Sequence, residues 1–440
     1  MRTIFSKRWM TRLLAMPLPL VALALPGLAH AGGFYLQEQS VKGAGRAFSG
    51  EVADTGADSL WWNPASIGGL VGGDAAVNFS AILPHSEVNN NGSTITYPAP
   101  VGTVPLGGTN AHDPINKGYL PSGSIAHSIS KSVAVGLTIT SPYSFETDYA
   151  DGSWAAYTAG QTRLRTYDIA PSFAVTPTEG LSIGGAINFE RSVATLSNYL
   201  PNFLAAPGTP DGTQTLHGTG WDLGFTLGVQ WHQGPLSLGA SYKSGVSHHL
   251  DGQVTIAGLA GLLAGQNAVI PTQANFRTPW QASVGARYAV TPALTLNAQV
   301  VRFGWSDFDA IRFAAPLTAL PIAENYRDTW SFAVGADYAV TSKWTLRAGV
   351  QRDETPTQNG ARDARVPDGN RWNFAAGTSY DVTRGFSVDA AVNYLAVSSA
   401  TIDRPAVLYP YSPAQTIIGT SGTLSNASVL VLSIGGRLRF

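Results

Sequence analysis

Most of this chain alternates apolar and polar residues with a period of two, which is the pattern of β-strands that carry one apolar face. In the clearest stretch, the apolar face begins and ends with tryptophan and consists of Trp221, Leu223, Phe225, Leu227, Val229 and Trp231. Comparable stretches begin at Trp280, Trp330 and Trp372. An apolar band between two aromatic girdles is typical of strands in a transmembrane β-barrel.

The connections between these stretches favour the same architecture. Related sequences such as A-V-T-P-A-L-T and A-V-T-S-K-W-T each join two strands through a tight turn. In an outer-membrane barrel, short turns lie at the periplasmic end and long loops at the outer end. The pattern predicts an antiparallel barrel of about fourteen strands in residues 73–440, with strand centres near Phe79, Ala126, Gly136, Pro171, Ala186, Leu227, Gly239, Gly285, Asn297, Gly335, Gly349, Gly377, Ala390 and Gly435.

The composition supports an all-β membrane protein. Only 12% of the 440 residues are charged, whereas a globular protein has about twice that share. Because no stretch beyond the N-terminus is apolar enough for a spanning helix, the low charge fits a barrel with alternate residues facing lipid. The net charge of −1 gives no reason to expect a nucleic-acid partner, and the chain has no cysteine for a disulfide.

Both ends of the chain indicate export to the outer membrane of a Gram-negative bacterium. Residues 1–31 combine basic residues, an apolar run and Ala29-His30-Ala31, the pattern of a cleaved signal peptide. A retained anchor helix is the alternative. The last stretch alternates up to Phe440 and resembles the signal that the barrel-assembly machinery reads, although an ordinary terminal strand would look similar.

Residues 32–72 do not alternate, and they precede the barrel strands directly. We therefore predict a plug, or hatch, inside the barrel lumen. Gly43, Gly45 and Gly50 would permit tight backbone paths there, whereas Arg46 and Glu51 would need charged partners because burial of an unpaired charge is costly. Inward strand positions offer such partners in preference to substrate ligands, namely Arg287, Asp337, Arg347, Asp381, Asp389, Arg437 and Arg439.

The hatch segment resembles that of the FadL/TodX family, outer-membrane transporters for long-chain fatty acids and other hydrophobic compounds. The resemblance lies in F-x-L-x-E-Q-S, G-x-G-R-A-F-S-G-E and N-P-A, which contain Phe34, Leu36, Glu38, Gly43, Gly45, Arg46, Gly50, Glu51, Asn63, Pro64 and Ala65. Val135–Tyr149 is similar to the third strand of the family, although Tyr143 and Ser144 stand where phenylalanine and glycine are usual.

The resemblance implies a transport mechanism with lateral release. A hydrophobic substrate would be captured at outer loops, enter an apolar pocket and, after hatch movement, leave through a gap at a kink of the third strand into the membrane. Pro142 lacks an N–H and must interrupt a strand ladder. We therefore expect the lateral gate within Gly136–Tyr143, at Gly136, Thr140, Ser141, Pro142 and Tyr143. An ordinary strand end at this position is the alternative.

Two further groups of residues are candidates for substrate contacts. Leu259, Leu262 and Leu263 fall at helical spacing in an outer loop and, with Leu200 and Phe203, would form a surface that captures a hydrophobic ligand. Packing of these two loops against each other is the alternative. A carboxylate headgroup would require a basic residue, for which the candidates are Arg191, Arg163, Arg165 and Lys243; alternation, however, points Arg191 outward.

Other functional classes receive less support from the sequence. His127-Ser128 and His248-His249 are adjacent pairs on strands, so their side chains point to opposite faces and form neither a catalytic pair nor a metal chelate. We therefore expect no enzyme, cofactor or metal site. A general diffusion porin and a transporter of aromatic hydrocarbons are the alternatives for function. We expect a monomer whose partners are its hydrophobic substrate and outer-membrane lipids.

Overall fold

The protein folds as a closed antiparallel barrel of fourteen long strands, counted in the described part of the chain. The computed structural model describes residues 33–440 except 109, 151 and 319, so the predicted signal peptide lies outside the described residues. The barrel closes because the first strand pairs with the last, from Asp74 opposite Arg439 to Asn90 opposite Gly422. The predicted fold class and strand number are confirmed.

Eleven of the barrel strands are continuous. They are β1 (Gly73–Asn90), β2 (Gly118–Ser130), β4 (Gln161–Thr178), β5 (Leu181–Leu200), β6 (Gly212–Gln233), β9 (Leu294–Phe303), β10 (Thr329–Ala339), β11 (Trp344–Asp353), β12 (Arg371–Asp381), β13 (Phe386–Val397) and β14 (Gly422–Arg439). Each of the predicted strand centres falls within a barrel strand, because side chains that face lipid give a clean period of two.

The other three strands are each interrupted by three residues. They are β3 (Val133–Thr140 and Ser144–Asp148), β7 (Leu236–Lys243 and Ser247–Ala257) and β8 (Ala268–Arg277 and Gln281–Ala289). Pro142 interrupts β3 and Pro279 interrupts β8, since proline cannot donate to the ladder. The interruptions of β7 and β8 lie side by side, because the corresponding segments of these two strands pair with each other.

The apolar face of the strands lies on the outside of the barrel. Along β6, Trp221, Leu223, Phe225 and Leu227 are each about half exposed, whereas Thr226 and Gln230 on the opposite face are buried. This is the alternation that the sequence predicts, with lipid as the solvent of the outer face. Among the described residues, no helix has the length and apolar character needed to span a membrane.

Short turns close one end of the barrel, and long segments with small strands cover the other. The small strands are Thr94–Thr96, Thr103–Pro105, Ala111–His112, Ala310–Phe313, Ile322–Ala323, Ala400–Ile402, Ala406–Leu408 and Thr416–Gly419. Short 3-10 helices lie at Trp154–Tyr157, Gly261–Gln266 and Trp305–Asp307. Apolar side chains from several of these segments pack together, so the outer end is a folded cap.

The N-terminal segment, residues 33–72, lies within the lumen and contacts strands around the whole barrel. It contains the helix α1 (Val41–Ala44) and 3-10 turns at Glu51–Ala53, Ala57–Ser59 and Pro64–Ile67. Ser40 caps α1 by accepting a hydrogen bond from the Gly43 amide at 2.9 Å, and Asn63 caps the last turn through the Ala65 amide. These short, side-chain-capped turns explain the absence of strand periodicity from this part of the sequence.

Candidate functional site

A buried cluster of charges fastens the N-terminal segment to the lower wall of the barrel. The Arg46 guanidinium is fully buried and binds Glu51 and, at 2.6 Å, Asp54 of the same segment. It also lies 3.3 Å from Asp337 of β10, which in turn binds Arg287 at 2.8 Å. Arg347 of β11 completes this Arg46 cluster at 2.9 Å from Asp337.

The Arg46 cluster contains three of the predicted charge partners, Arg287, Asp337 and Arg347. Asp381, Asp389 and Arg437 contact other residues, and Arg439 is exposed. Asp389 and Arg437 bind each other at 2.7 Å, and Asp381 accepts a hydrogen bond from Ser387. Because every charge in the Arg46 cluster has an opposite partner, the segment is held without leaving a buried ion alone.

Glycines in the barrel wall allow close contact with the N-terminal segment. A Cβ added at Gly377 would lie 2.5 Å from the Cα of Gly45, and one added at Gly239 would overlap the Val52 carbonyl. Gly50 itself has a φ of 70°, a conformation that favours glycine. Asn63 donates to the Val52 carbonyl at 2.7 Å, which ties the N-P-A motif to the middle of the segment.

The start of the N-terminal segment pairs with the interrupted third strand. The Leu36 amide donates to the Pro142 carbonyl at 2.8 Å, and the Ser144 amide donates to the Phe34 carbonyl at 3.0 Å. The Ser141 carbonyl accepts from the Gln39 side chain at 2.9 Å. The three interrupting residues, Ser141 to Tyr143, therefore contact the segment that we predict to be the hatch.

The wall of the barrel has a seam at the same point. The first part of β3 pairs with β2 only up to Gly123 opposite Ile139, whereas its second part pairs with β4 alone among the barrel strands. Beyond the interruption, residues 114–116 bond to this second part, for example through the Asn116 amide and the Glu146 carbonyl at 3.0 Å. Gly136 lies below the seam, inside the paired part of β3.

Glu38 is a buried carboxyl group in the hatch segment, next to the residues that contact the seam. It is 2% exposed, and one carboxyl oxygen has no hydrogen-bond partner. Burial raises the pKa of Glu38 to about 7, opposed by hydrogen bonds from backbone amides and by Arg371. A carboxyl group with this pKa is partly protonated at neutral pH, so its burial costs less than that of a fixed charge.

Above the N-terminal segment lies an apolar cavity of about 600 Å³. Phe34 forms its floor, and inward side chains of four strands form its sides, namely Leu164, Ala194, Leu196, Leu216, Leu250 and Phe276. Phe308, Ile311 and Val366 of the outer segments contribute to its wall. An enclosure lined mainly by apolar groups is typical of sites for small hydrophobic ligands.

The same cavity has a charged side formed by Arg163, Glu324 and Arg365. Arg163 binds Glu146 at 2.8 Å, and Arg365 binds Asp363 at 2.9 Å while its Nε has no hydrogen-bond partner. Burial raises the pKa of Glu324 to about 7; the carboxylate of Asp363 adds to the rise, and Arg404 opposes it. This side of the cavity therefore presents two guanidinium groups, each also paired with a carboxylate, beside a carboxyl group that is partly protonated at neutral pH.

The predicted capture surface is mostly a packed interior. Leu200, Leu259 and Leu263 are 3%, 5% and 2% exposed and belong to one apolar cluster beneath the outer loops. Phe203 packs on Tyr97 with ring centroids 4.8 Å apart. The alternative of loop packing thus holds for these residues, because leucines at short spacing can form a small core between loops. Leu262 alone of this group is largely exposed, at 83%.

The predicted headgroup residues occupy three different places. Arg163 borders the apolar cavity, and Arg165 lies with it in an open cleft beside Glu146. Arg191 is wrong as a headgroup residue: it stands on the outer face of β5 over the Trp221 ring, because no bulge reverses the alternation there. Lys243 lies deeper, with its Nζ 3.7 Å from the Trp61 ring centroid.

Several residues of the cavity give no signal in the sequence. Phe276, Phe308, Glu324 and Arg365 come from a strand end and from loops that are far apart along the chain. Only the folded cap brings them together. His127 and Ser128 are separated as predicted: His127 stacks on Phe440, whereas Ser128 binds the backbone of Gly72. His248 and His249 both contact Asp222, at 3.5 and 2.9 Å. Within the described residues, no group of acidic or histidine side chains could hold a metal ion.

Comparison with curated proteins shows moderate similarity to outer-membrane proteins. The chain is 27% identical over 339 residues to a long-chain fatty acid transport protein of Escherichia coli, a match that covers 66% of this chain and 70% of that protein. It is 27% identical over 174 residues to outer membrane protein P1 of Haemophilus influenzae. The latter match covers 38% of this chain and only 37% of P1.

Solved structures share the fold. A Pseudomonas aeruginosa FadL homologue aligns with a TM-score of 0.82 at 22% identity, covering 93% of this chain and 100% of that chain. The Ralstonia pickettii toluene transporter TbuX aligns with a TM-score of 0.63 at 18% identity, covering 92% and 99%. A profile of the family described as outer membrane protein transport protein (OMPP1/FadL/TodX) matches residues 22–440. The chain therefore belongs to this family of the Gram-negative outer membrane, as its barrel and N-terminal motifs predict.

Proposed function

We propose that this protein transports hydrophobic molecules across the outer membrane and that its principal substrates are long-chain fatty acids. The observation that carries the proposal is the apolar cavity of about 600 Å³ with Arg163 and Arg365 on one side. An acyl chain fits the apolar wall, and a carboxylate fits the guanidinium groups. The Escherichia coli relative is named a long-chain fatty acid transport protein, which agrees with this assignment.

The route begins at the outer cap and ends at the seam beside β3. Leu262 offers an exposed apolar contact at the cap, and the cavity lies below it. Phe34 forms the cavity floor and is joined to Ser144 by a backbone hydrogen bond. Movement of the N-terminal segment, acting as a hatch, would therefore open the cavity and release the seam at Pro142 together. Release into the membrane spares the acyl chain from water.

Aromatic hydrocarbons are the second candidate substrates. Phe34, Phe276 and Phe308 line the cavity, and the Phe308 ring packs edge to face on each of the other two. The structural relative from Ralstonia pickettii is named a toluene transporter. Arg365 argues against a purely hydrocarbon ligand, because such a ligand leaves the buried Nε of Arg365 without a hydrogen-bond acceptor.

A general diffusion porin receives less support. The inward polar residues Gln299 and Asn393 bind the Val52 amide and the Ala44 carbonyl of the N-terminal segment, at 3.0 Å each. These polar groups therefore bind the N-terminal segment and do not line a water-filled channel. A plugged lumen favours a gated transporter over an open pore.

Uptake by cells tests the proposed substrate class. In a Gram-negative host that lacks its own fatty acid transporter, we expect the protein to restore uptake of labelled hexadecanoate. Arg365→Met should reduce this uptake roughly tenfold, because a charge-assisted hydrogen bond is lost. Toluene uptake by the same variant should stay unchanged.

Arg312→Met is the matched control, since Arg312 is exposed and pairs with Asp309 outside the cavity. Restored uptake of toluene without hexadecanoate would contradict the fatty acid assignment and support the second candidate. A steady conductance of porin size for the full-length protein would contradict both.

A further inference from the structure

A second, smaller cavity of about 260 Å³ is enclosed by residues of the barrel wall at the level of the seam. We call it the Lys243 chamber. Its wall contains interrupting residues of β3 and β7, among them Pro142 and Tyr143, and inward polar side chains of β4, β5 and β7, namely Asp168, Asn188, Glu190 and Lys243. It shares no lining residue with the larger apolar cavity.

Polar groups inside the Lys243 chamber lack partners. The Nζ of Lys243 is buried and has no hydrogen-bond partner. It lies over the ring of Trp61, 3.7 Å from the ring centroid. One carboxyl oxygen of Asp168 and one of Glu190 are likewise without hydrogen bonds, although these residues are only 1% and 2% exposed. Buried polar groups are nearly always satisfied, so the chamber is suited to hold something polar.

The other polar side chains of this region are fixed by neighbours. Asn188 donates to the second oxygen of Asp168 at 2.7 Å and accepts from Thr226 at 2.9 Å. His248 lies against Ser192 at 3.0 Å and is 3.5 Å from both Glu190 and Asp222. These contacts orient the free oxygens and leave Lys243 as the cation of the chamber wall.

Tyr143 separates the chamber from the apolar cavity. Its ring packs on Phe34 at 5.9 Å between centroids, and its hydroxyl donates to the carbonyl of Pro279, at the interruption of β8, at 3.2 Å. Tyr35 packs on the same ring at 5.8 Å. Displacement of the N-terminal segment would remove Phe34 and Tyr35 from this partition, so the two cavities would join. The chamber would then lie between the apolar cavity and the seam.

From this geometry we propose that the Lys243 chamber binds the polar end of a single-chain carboxylic acid or alcohol just before the chain leaves through the seam. An oxygen of that end accepts a hydrogen bond from Lys243, and the hydroxyl of the alcohol or of the protonated acid donates to Asp168 or Glu190. A hydrocarbon satisfies none of these groups. The chamber is small, so the chain itself lies outside it. The proposal rests on the proposed transport function. It adds that departure through the seam selects substrates with a polar end.

Uptake of three matched compounds tests the proposal: hexadecanoate, hexadecanol and hexadecane. We expect Lys243→Met to reduce uptake of the acid and the alcohol roughly tenfold, because each loses a hydrogen bond to a charged donor, and to leave the hydrocarbon unchanged. Lys343→Met, at an exposed lysine of a short turn, should change none of the three. An equal fall for all three compounds, or no fall, overturns the proposal.

Loss of Lys243 leaves Asp168 and Glu190 without a nearby cation, so this variant could fold poorly. The double variant Lys243→Met with Asp168→Asn removes one charge of each sign and should show the same selective loss. Circular dichroism identifies any variant that does not fold. If the double variant folds and transports the acid and the alcohol normally, the chamber is not a substrate site.

A covalent probe examines the chamber without relying on transport. Hexadecanal forms an imine when the Lys243 Nζ attacks its carbonyl carbon and water leaves, and cyanoborohydride then delivers hydride to that carbon to give a stable secondary amine. We expect mass spectrometry of the full-length protein to find the alkyl group on Lys243, with protection by hexadecanol and not by hexadecane. Labelling of Lys343 should be insensitive to both.

The two experiments separate the two proposals. Protected labelling of Lys243 without fatty acid uptake would contradict the proposed function and leave the chamber as a binding site. Normal uptake with Lys243 unlabelled, or labelled without protection, would contradict the chamber and leave the function.

Discussion

At the scale of single residues, burial of charge is the feature that most needs explanation. Arg46, Glu51 and Asp337 are buried together, and each has an opposite charge within 3.3 Å. A buried pair of this kind contributes little net stability, but removal of one partner costs several kcal/mol. The Arg46 cluster thus fixes the position of the N-terminal segment in the lumen and adds little to the stability of the barrel. Glu324 differs, because its raised pKa permits a change of charge near neutral pH.

Titration of Glu324 should make ligand affinity depend on pH. Its carboxyl group borders the apolar cavity and holds a proton below about pH 7. Above that pH, the carboxylate repels an anionic ligand and offsets the arginines beside it. We expect affinity for a long-chain alkyl sulfonate, which stays ionised throughout, to fall roughly fivefold between about pH 6 and pH 8.5. Binding titrations on the purified protein measure this change.

Glu324→Gln should remove the dependence on pH and keep the affinity measured at low pH. Asp309→Asn is the control, since Asp309 is exposed, outside the cavity, and paired with Arg312, which lowers the pKa of its carboxyl group. Because the folded-state pKa of Glu324 is raised, its protonation also favours the folded protein at low pH, and this contribution is lost as pH rises through about 7. A pH profile unchanged by Glu324→Gln would exclude this residue from ligand binding.

At the scale of elements, three strands are interrupted, and the interruption of β3 is the one that opens a seam. The second part of β3 has no ladder with β2, whereas both parts of β7 and of β8 pair with each other. A proline at the interruption removes a donor from the ladder. Residues of the N-terminal segment form hydrogen bonds with the interrupted part of β3 from inside the barrel. We therefore propose that the seam opens when that segment moves.

Straightening β3 should reduce transport without loss of binding. Ser141→Val with Pro142→Thr restores an amide donor and strand-forming side chains, which allows the ladder to continue across the seam. We expect uptake of hexadecanoate to fall at least fivefold while its affinity for the purified protein stays within about twofold. Uptake and binding assays on the same variant check the two expectations.

Pro171→Thr is the matched control, because Pro171 lies in β4, a strand that continues through this proline. This control should transport normally. Undiminished uptake by the straightened variant would show that substrate leaves by another path.

At the scale of the whole molecule, the barrel strands enclose a lumen and the N-terminal segment occupies it. The strands hold their lipid-facing side chains outward, and the polar and glycine positions on the other face accept the segment. Within the lumen, Arg287 and Arg347 each bind Asp337 directly. The barrel wall would therefore keep paired charges if the segment were absent, which makes removal of the segment a practical experiment.

Deletion of residues 32–59 should convert the protein into a channel. Since this stretch provides Arg46, Phe34 and the turns that fill the lumen, we expect planar bilayer recordings to change from nearly silent to a steady conductance for small ions. Full-length protein in the same bilayers is the control, and circular dichroism should show unchanged strand content. An unchanged conductance would mean that the segment is not the barrier.

The sequence predicts the barrel far better than the binding site. Membrane strands impose a period of two that survives in the chain, and motifs around Arg46 and Asn63 mark the N-terminal segment. The cavity has no such local signal, because Phe276, Glu324 and Arg365 come from separate loops and a strand end. Helical spacing at Leu259 and Leu263 predicted a capture surface, yet the structure buries both in the outer cap.

Local alternation thus determined by itself the fold class, the number of strands and the faces that meet lipid, because each of these depends on neighbours one or two residues away along the chain. The tertiary structure alone decided which charges meet in the Arg46 cluster, which side chains enclose the cavity, and that the Lys243 chamber lies beneath the seam. Those contacts join residues hundreds of positions apart, such as Arg46 and Asp337. Their distances depend on how the barrel closes around the segment inside it.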